Sequence, residues 1–168
     1  MSKNKDITIK IARAGIIAAL YIVTSLITAP IASGTIQVRL SEALTLLPLL
    51  FPEAVPALFI GCAFSNLITA CAPFDVLFGS IITICASVLT FGIGKLNCKL
   101  WIKILLGGLP PVLMNAFLLP IIWLYCYGTS EYIYTVQVGL LLVGQAISVY
   151  ALGSPVYMAI AKKLNQKR

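Results

Sequence analysis

Apolar residues in this chain come in long blocks, and the polar residues, prolines and glycines that break them gather in short clusters. Six blocks can be marked, at about 11–32, 40–51, 54–71, 75–95, 104–125 and 133–161. A helix that crosses a bilayer needs about 20 predominantly apolar residues, so these blocks read as membrane helices. The second is short: about 12 residues at about 1.5 Å each cover roughly 18 Å of a hydrocarbon core roughly 30 Å thick. It is expected either not to cross fully as a straight helix or to borrow flanking residues. The fold expected is a single all-α integral membrane domain over residues 1–168 with six transmembrane helices.

Composition changes the picture by removing the soluble alternative. Of 168 residues, 60% are hydrophobic and 10% charged, against about 25% charged in an ordinary soluble domain, and the mean hydropathy is +1.02. Too few polar residues exist to cover a soluble surface, so lipid is the expected solvent. The basic start MSKNKDITIKIARAG leads into an apolar segment too long for a signal h-region and without a clear cleavage site, so the first helix is expected to stay in the protein. The cysteines (Cys62, Cys71, Cys85, Cys98 and Cys126) show no C-x-x-C spacing, and the chain has no histidine. They read as small buried side chains, with no metal site.

The net charge of +7 raises the question of nucleic acid, but its distribution points to membrane topology instead. Six crossings put both termini on one side. Lys3, Lys5, Lys10 and Arg13 precede the first helix, Lys95, Lys99 and Lys103 occupy the fourth-to-fifth connection, and Lys162, Lys163, Lys167 and Arg168 close the chain. All basic residues except Arg39 thus fall on that side, which the positive-inside rule makes the cytoplasm. They need no partner beyond anionic lipid head groups. Asp6 and Glu53 fall inside, whereas Glu42, Asp75 and Glu131 share the outer side with Arg39.

Polar groups at membrane depth are expensive and usually face a bundle interior or a wet cavity. On this topology Asn66, Asn115, Gln137 and Gln145 converge on the outer half. With Arg39, Glu42, Asp75 and Glu131 they form a candidate lining for one cavity open to the outside, rimmed by Trp123, Tyr125, Tyr127, Tyr132 and Tyr134. Each has a plainer reading. Arg39 and Glu42, three apart, can form a local ion pair, or Arg39 can snorkel to the interface. Asp75 can cap a helix, Glu131 can be solvated, Asn115 and Gln145 can hold helices together, and the aromatics can form an interfacial belt.

Enzymatic readings find little support. The chain has no phosphate-binding G-x-x-x-x-G-K-[ST] loop, no histidine and no convincing nucleophile and base, so no catalytic residues and no cofactor are expected. ATP-driven work would need another subunit. In the first helix Ala14 and Ala18 lie four apart, and Gly15 and Ala19 repeat the offset, which allows close approach by another helix or packing within the chain's own bundle.

The segment QVRLSEALTLLPLLFPEAVPALFIGCAFSNL, followed by FDVLFGSIIT and LMNAFLLP, resembles the QueT family of substrate-binding S-components of energy-coupling factor transporters. The resemblance covers nearly the whole chain, and its R-x-S-E-A-L-T-L-L-P block is its most specific part. It implies a six-helix protein of the bacterial cell membrane that captures a queuosine precursor of the 7-deazaguanine type outside the cell. Its implied partners are a transmembrane coupling subunit, docked at Ala14 and Ala18, and two cytoplasmic ATPase subunits. A guanine-like edge presents two neighbouring N–H donors and a carbonyl acceptor. Glu42 or Asp75 would take the donors, and Asn115, Gln145 or Arg39 would serve the carbonyl. An aminomethyl group would call for a second carboxylate and an aromatic face such as Trp123. The alternatives are an S-component for another vitamin and a solitary small-solute transporter.

Overall fold

The computed structural model describes residues 2–32, 37–69, 73–128 and 133–166. The described elements are all helical. They are α1 (Ser2–Ala32), a 3-10 segment (Leu40–Leu49), α2 (Ala54–Ile68), α3 (Pro73–Gly94), α4 (Leu100–Tyr127) and α5 (Tyr134–Ala146), which runs through a π-helical stretch (Ile147–Leu152) into α6 (Gly153–Asn165). Four continuous helices, Asn4–Pro30, Pro73–Gly94, Leu100–Cys126 and Tyr134–Leu164, are long and apolar enough to cross a bilayer, and Leu40–Leu49 and Ala54–Ile68 are shorter. Their outward surface is apolar: Ile16, Ile27, Leu67, Leu77, Leu105 and Val143 are all exposed. Such a surface is stable only against lipid or a partner.

The second block differs most from expectation. It is a ten-residue 3-10 helix rather than an α-helix, and at about 2.0 Å per residue it spans about 20 Å where an α-helix of that length covers about 15 Å. Ser41 through Leu49 are all buried, so all but the first residue of the segment is sheathed by protein. Glycines let neighbouring backbone reach this segment and the residues just before it. A Cβ on Gly144 would stand 2.5 Å from the Gln37 carbonyl oxygen, and one on Gly153 would stand 2.8 Å from that of Ala43. Only hydrogen fits at either place.

Three apolar clusters hold the bundle. Ile17 and Tyr21 of α1 pack with Leu44 and Leu47 of the 3-10 segment and Leu58 of α2. Leu46 and Leu49 pack with Ile104, Val112, Val149 and Tyr157. Ile82, Ala116, Leu119 and Leu141 join α3, α4 and α5. Prolines inside α4 leave carbonyls without their helical donor. Pro111 would have served the Gly107 carbonyl, and the Thr90 hydroxyl of α3 donates to that oxygen instead, at 2.9 Å.

One end of the bundle gathers the start of α1, the start of α2 and the α3–α4 turn. Arg13 pairs with Glu53 there and stacks over the Phe51 ring at 4.2 Å, while Lys103 Nζ donates to the Gly94 carbonyl at 3.0 Å. The other end holds the start of the 3-10 segment, the end of α2, the start of α3 and the end of α4.

Candidate functional site

Glu42 is the deepest charged group at that second end, 3% exposed in the first turn of the 3-10 segment. Tyr21 of α1 donates its hydroxyl to Oε1 at 2.9 Å, and Asn115 of α4 donates Nδ2 to Oε2 at 3.4 Å. The same Asn115 Nδ2 reaches Gln145 Oε1 of α5 at 3.3 Å. One polar chain therefore crosses the bundle from α1 to α5, with the carboxylate at its centre and neutral donors on both oxygens. Such a network is stable at low dielectric because its members satisfy one another.

A second pair stands nearer the end of the bundle. Trp123 Nε1 donates to Asp75 Oδ1 at 2.8 Å, and Asn66 Nδ2 donates to the Asp75 main-chain carbonyl at 3.2 Å. These bonds tie the end of α4 and the end of α2 to the start of α3. Arg39 is fixed through its backbone: its N–H donates to Ser148 Oγ in the π-helical stretch at 3.1 Å, and Ser148 Oγ donates in turn to the Gly144 carbonyl at 2.8 Å. The Arg39 guanidinium reaches Gln37 Oε1 at 3.5 Å. It forms no ion pair with Glu42; among the described residues, the pair within 4 Å is Arg13 with Glu53.

These groups enclose a cavity with about 440 Å³ of empty space, its open mouth included. Arg39, Glu42, Asn66, Asp75, Asn115, Trp123 and Gln145, all expected from sequence to share a cavity, line it together. Cys62, Gly79, Thr83 and Leu119 complete the wall. A wider vestibule of about 1010 Å³ shares Arg39, Asn66, Asp75 and Trp123 and adds Tyr21, Ser25, Gln37, Ser65 and Thr69. A cup with few well-placed polar groups and an apolar remainder is the usual form of a small-molecule site.

A family model described as QueT transporter matches residues 11–162. The chain belongs to the QueT transporter family. It is thus a membrane-embedded transporter and not an enzyme. Comparison with curated proteins and with solved structures returned no match.

Gln137 and Glu131 are the other site residues expected from the sequence of this QueT family member. Gln137 lies about two turns from Gln145 on α5, half-buried, and is absent from the walls of both the cavity and the vestibule. Its Oε1 is buried without a donor. Glu131 and Tyr132 lie outside the described residues. Of the expected rim aromatics Trp123 enters the wall, Tyr125 is 82% exposed, and Tyr134 donates its hydroxyl to the Phe117 carbonyl at 3.3 Å. Ala14 and Ala18 are half-buried against the cluster around Ile17 and Tyr21, whereas Gly15 and Ala19 are exposed.

Tyr21, Thr83, Cys62 and Ser148 belong to the site and were not singled out as such from sequence. The available signal for Tyr21 is a lone hydroxyl-bearing ring near the middle of a long apolar helix, which needs a partner when buried. Cys62, expected only as a small buried side chain, is buried, lines the cavity and stands 3.7 Å from Asn66 Nδ2.

Proposed function

We propose that this chain is the substrate-capturing S-component of an energy-coupling factor transporter and that its cavity binds a queuosine precursor of the 7-deazaguanine type. The observation that carries this reading is Glu42: a buried carboxylate with no cation within ion-pair distance among the described residues, each oxygen facing a neutral donor, on the wall of a cup that shares residues with a wider vestibule. A carboxylate offers about four lone-pair positions, so Glu42 can accept the two neighbouring N–H groups of a guanine-like edge beside the bonds it already makes. Gln145, through its amide N–H, and Arg39 stand on the same wall to serve the ring carbonyl, while both N–H groups of Asn115 are engaged by Glu42 and Gln145. Each hydrogen bond to a charged group contributes about 1.5 to 3 kcal/mol net. Three or four of them with ring burial reach the roughly 12 kcal/mol of a nanomolar site. An adenine-like edge presents the opposite pattern and would leave buried groups unpaired.

In this reading all six helical segments cross or enter the membrane, with the 3-10 segment inside the bundle and both termini cytoplasmic. The cup then faces outward, and the end carrying Arg13, Glu53, Lys95 and Lys103 faces the cytoplasm. A transmembrane coupling subunit docks on α1 at Ala14 and Ala18, and two ATPase subunits supply the energy that this chain has no motif to provide.

Isothermal calorimetry on the purified protein tests the reading with 7-aminomethyl-7-deazaguanine, its 7-cyano analogue, queuine and adenine. The expected result is binding of at least one deazaguanine and none of adenine; binding of no deazaguanine would sink it. ATP-independent uptake by the chain alone would remove the energy-coupling part.

A further inference from the structure

The basic end of the bundle carries a separate hollow, a groove with about 910 Å³ of empty space, its open side included. Leu100 at the start of α4 and Met158 and Ala161 of α6 give it apolar walls, and the exposed Lys162 and Gln166 supply the polar part of its lining. Met158 and Ala161 also pack against the buried cluster of Ile104, Val149 and Tyr157, so the core backs the groove. Another face of α6 is already engaged: Val156, Ile160 and Leu164 pack against the cluster around Ile17 and Tyr21 of α1. The groove therefore lies on the α4 side of α6.

The lysines of this end divide by what they touch. Lys95 stands over the Phe91 ring at 4.5 Å, and Lys103 donates to the Gly94 carbonyl. Among the described residues, no carboxylate comes within 4 Å of Lys99, Lys162 or Lys163, and none lines the groove. Lys99 and the exposed Trp101 flank Leu100 in the sequence. Lys167 and Arg168 follow Gln166 and lie outside the described residues.

We propose that this groove holds one anionic phospholipid, its phosphate against Lys162 and the upper part of an acyl chain against Leu100, Met158 and Ala161. A free phosphate would leave that apolar wall in water, whereas an acyl chain covers it. A zwitterionic lipid would cover the wall equally well but bring its own cation beside Lys162, where an anionic headgroup brings none. The lysine stem can lie along the apolar wall while its ammonium reaches the phosphate. An exposed tryptophan at the start of a membrane helix marks the headgroup level, the depth at which a lipid phosphate lies. The site is independent of the solute that the cavity at the opposite end takes.

Native mass spectrometry of the full chain in detergent tests this, with an equimolar mixture of phosphatidylglycerol and phosphatidylcholine of the same acyl chains. The intact chain is expected to retain phosphatidylglycerol over phosphatidylcholine by at least about fivefold, the worth of one lysine at an anionic headgroup. Lys162→Gln should bring the two within about twofold, and Lys162→Arg should keep the preference. Lys10→Gln, which removes an exposed lysine of α1, should leave it unchanged. Leu100→Ser should weaken retention of both lipids and leave their ratio alone. No preference in the intact chain would overturn the proposal. So would an equal drop in Lys10→Gln and Lys162→Gln, which would mean diffuse attraction, or displacement of the lipid by inorganic phosphate, which would mean a soluble anion. If Lys162→Gln does not fold by size-exclusion chromatography, Leu100→Ser decides, and unchanged lipid retention in it rules against the groove.

Discussion

The Tyr21 hydroxyl and the Glu42 carboxylate meet at 2.9 Å, 21 positions apart in sequence, and join a helix whose outward face is apolar and exposed to a segment buried inside the bundle. α1 thereby becomes part of the site although most of its surface points away from it.

Glu42→Gln is expected to weaken ligand binding by at least about tenfold, because the amide keeps one acceptor and turns an N–H toward a donor. The change is nearly isosteric, so the thermal unfolding temperature of the ligand-free protein should move little. Calorimetry and differential scanning fluorimetry together check this, and unchanged affinity would return Glu42 to a purely structural role.

Thr90→Val removes the hydroxyl that serves the Gly107 carbonyl left over by Pro111. An unmet buried acceptor costs about 1 to 3 kcal/mol. Thermal unfolding in detergent should show a clear loss for Thr90→Val and little or none for Thr90→Ser.

Gly144→Ala puts a methyl group 2.5 Å from the Gln37 carbonyl oxygen and 2.9 Å from its carbon, so backbone must move. Overpacking of this kind costs about 1 to 3 kcal/mol, and the displacement falls on the strand of chain that carries Arg39. Both stability and ligand affinity should drop. Gly139→Ala, on the same helix with nothing within 4 Å of its Cβ, should change neither.

If α1 docks the proposed coupling subunit, Ala14→Leu combined with Ala18→Leu should block co-purification with it while ligand affinity stays within about threefold. Both alanines also touch the chain's own core. Loss of ligand binding alongside loss of assembly would therefore assign them to internal packing, and normal co-purification would refute a docking role. Gly15→Leu with Ala19→Leu places the same bulk on the exposed face and separates the two surfaces.

Much of the fold was legible because apolar blocks long enough to be helices leave few alternatives in lipid. The polar positions told more: Asn66, Asn115 and Gln145 are too costly to face acyl chains, so they had to turn inward, and inward they share a wall with Glu42. Other features depend on groups far away in sequence. Nothing in LSEALTLLPL distinguishes a 3-10 from an α-helix; the stretched form goes with close backbone contact from Gly153 at Ala43 and from Gly94 at Leu49. Nor does periodicity locate the π-helical turn that brings Ser148 to the Arg39 N–H. Ala14 and Ala18 carry the same small-residue spacing whether they face a partner or their own core. Gln137 obeys the same cost argument as Gln145, yet it stops short of the cavity wall because it sits about two turns along the helix.

The sheathed 3-10 segment also bears on how the protein is made. Ten residues are too few to be inserted into a bilayer as a helix in their own right, so this segment reaches its place by packing against partners that are already there. Those partners include late-synthesised ones: Ser148 grips Arg39 across 109 positions of sequence, and Gly153 presses on Ala43. A nascent chain that has threaded only α1 to α4 therefore lacks the groups that set Arg39 and the segment behind it. A chain truncated before Tyr134 would lack Gln145, Ser148 and Gly153, and with them part of the cavity wall and the groups that hold Arg39 and Ala43.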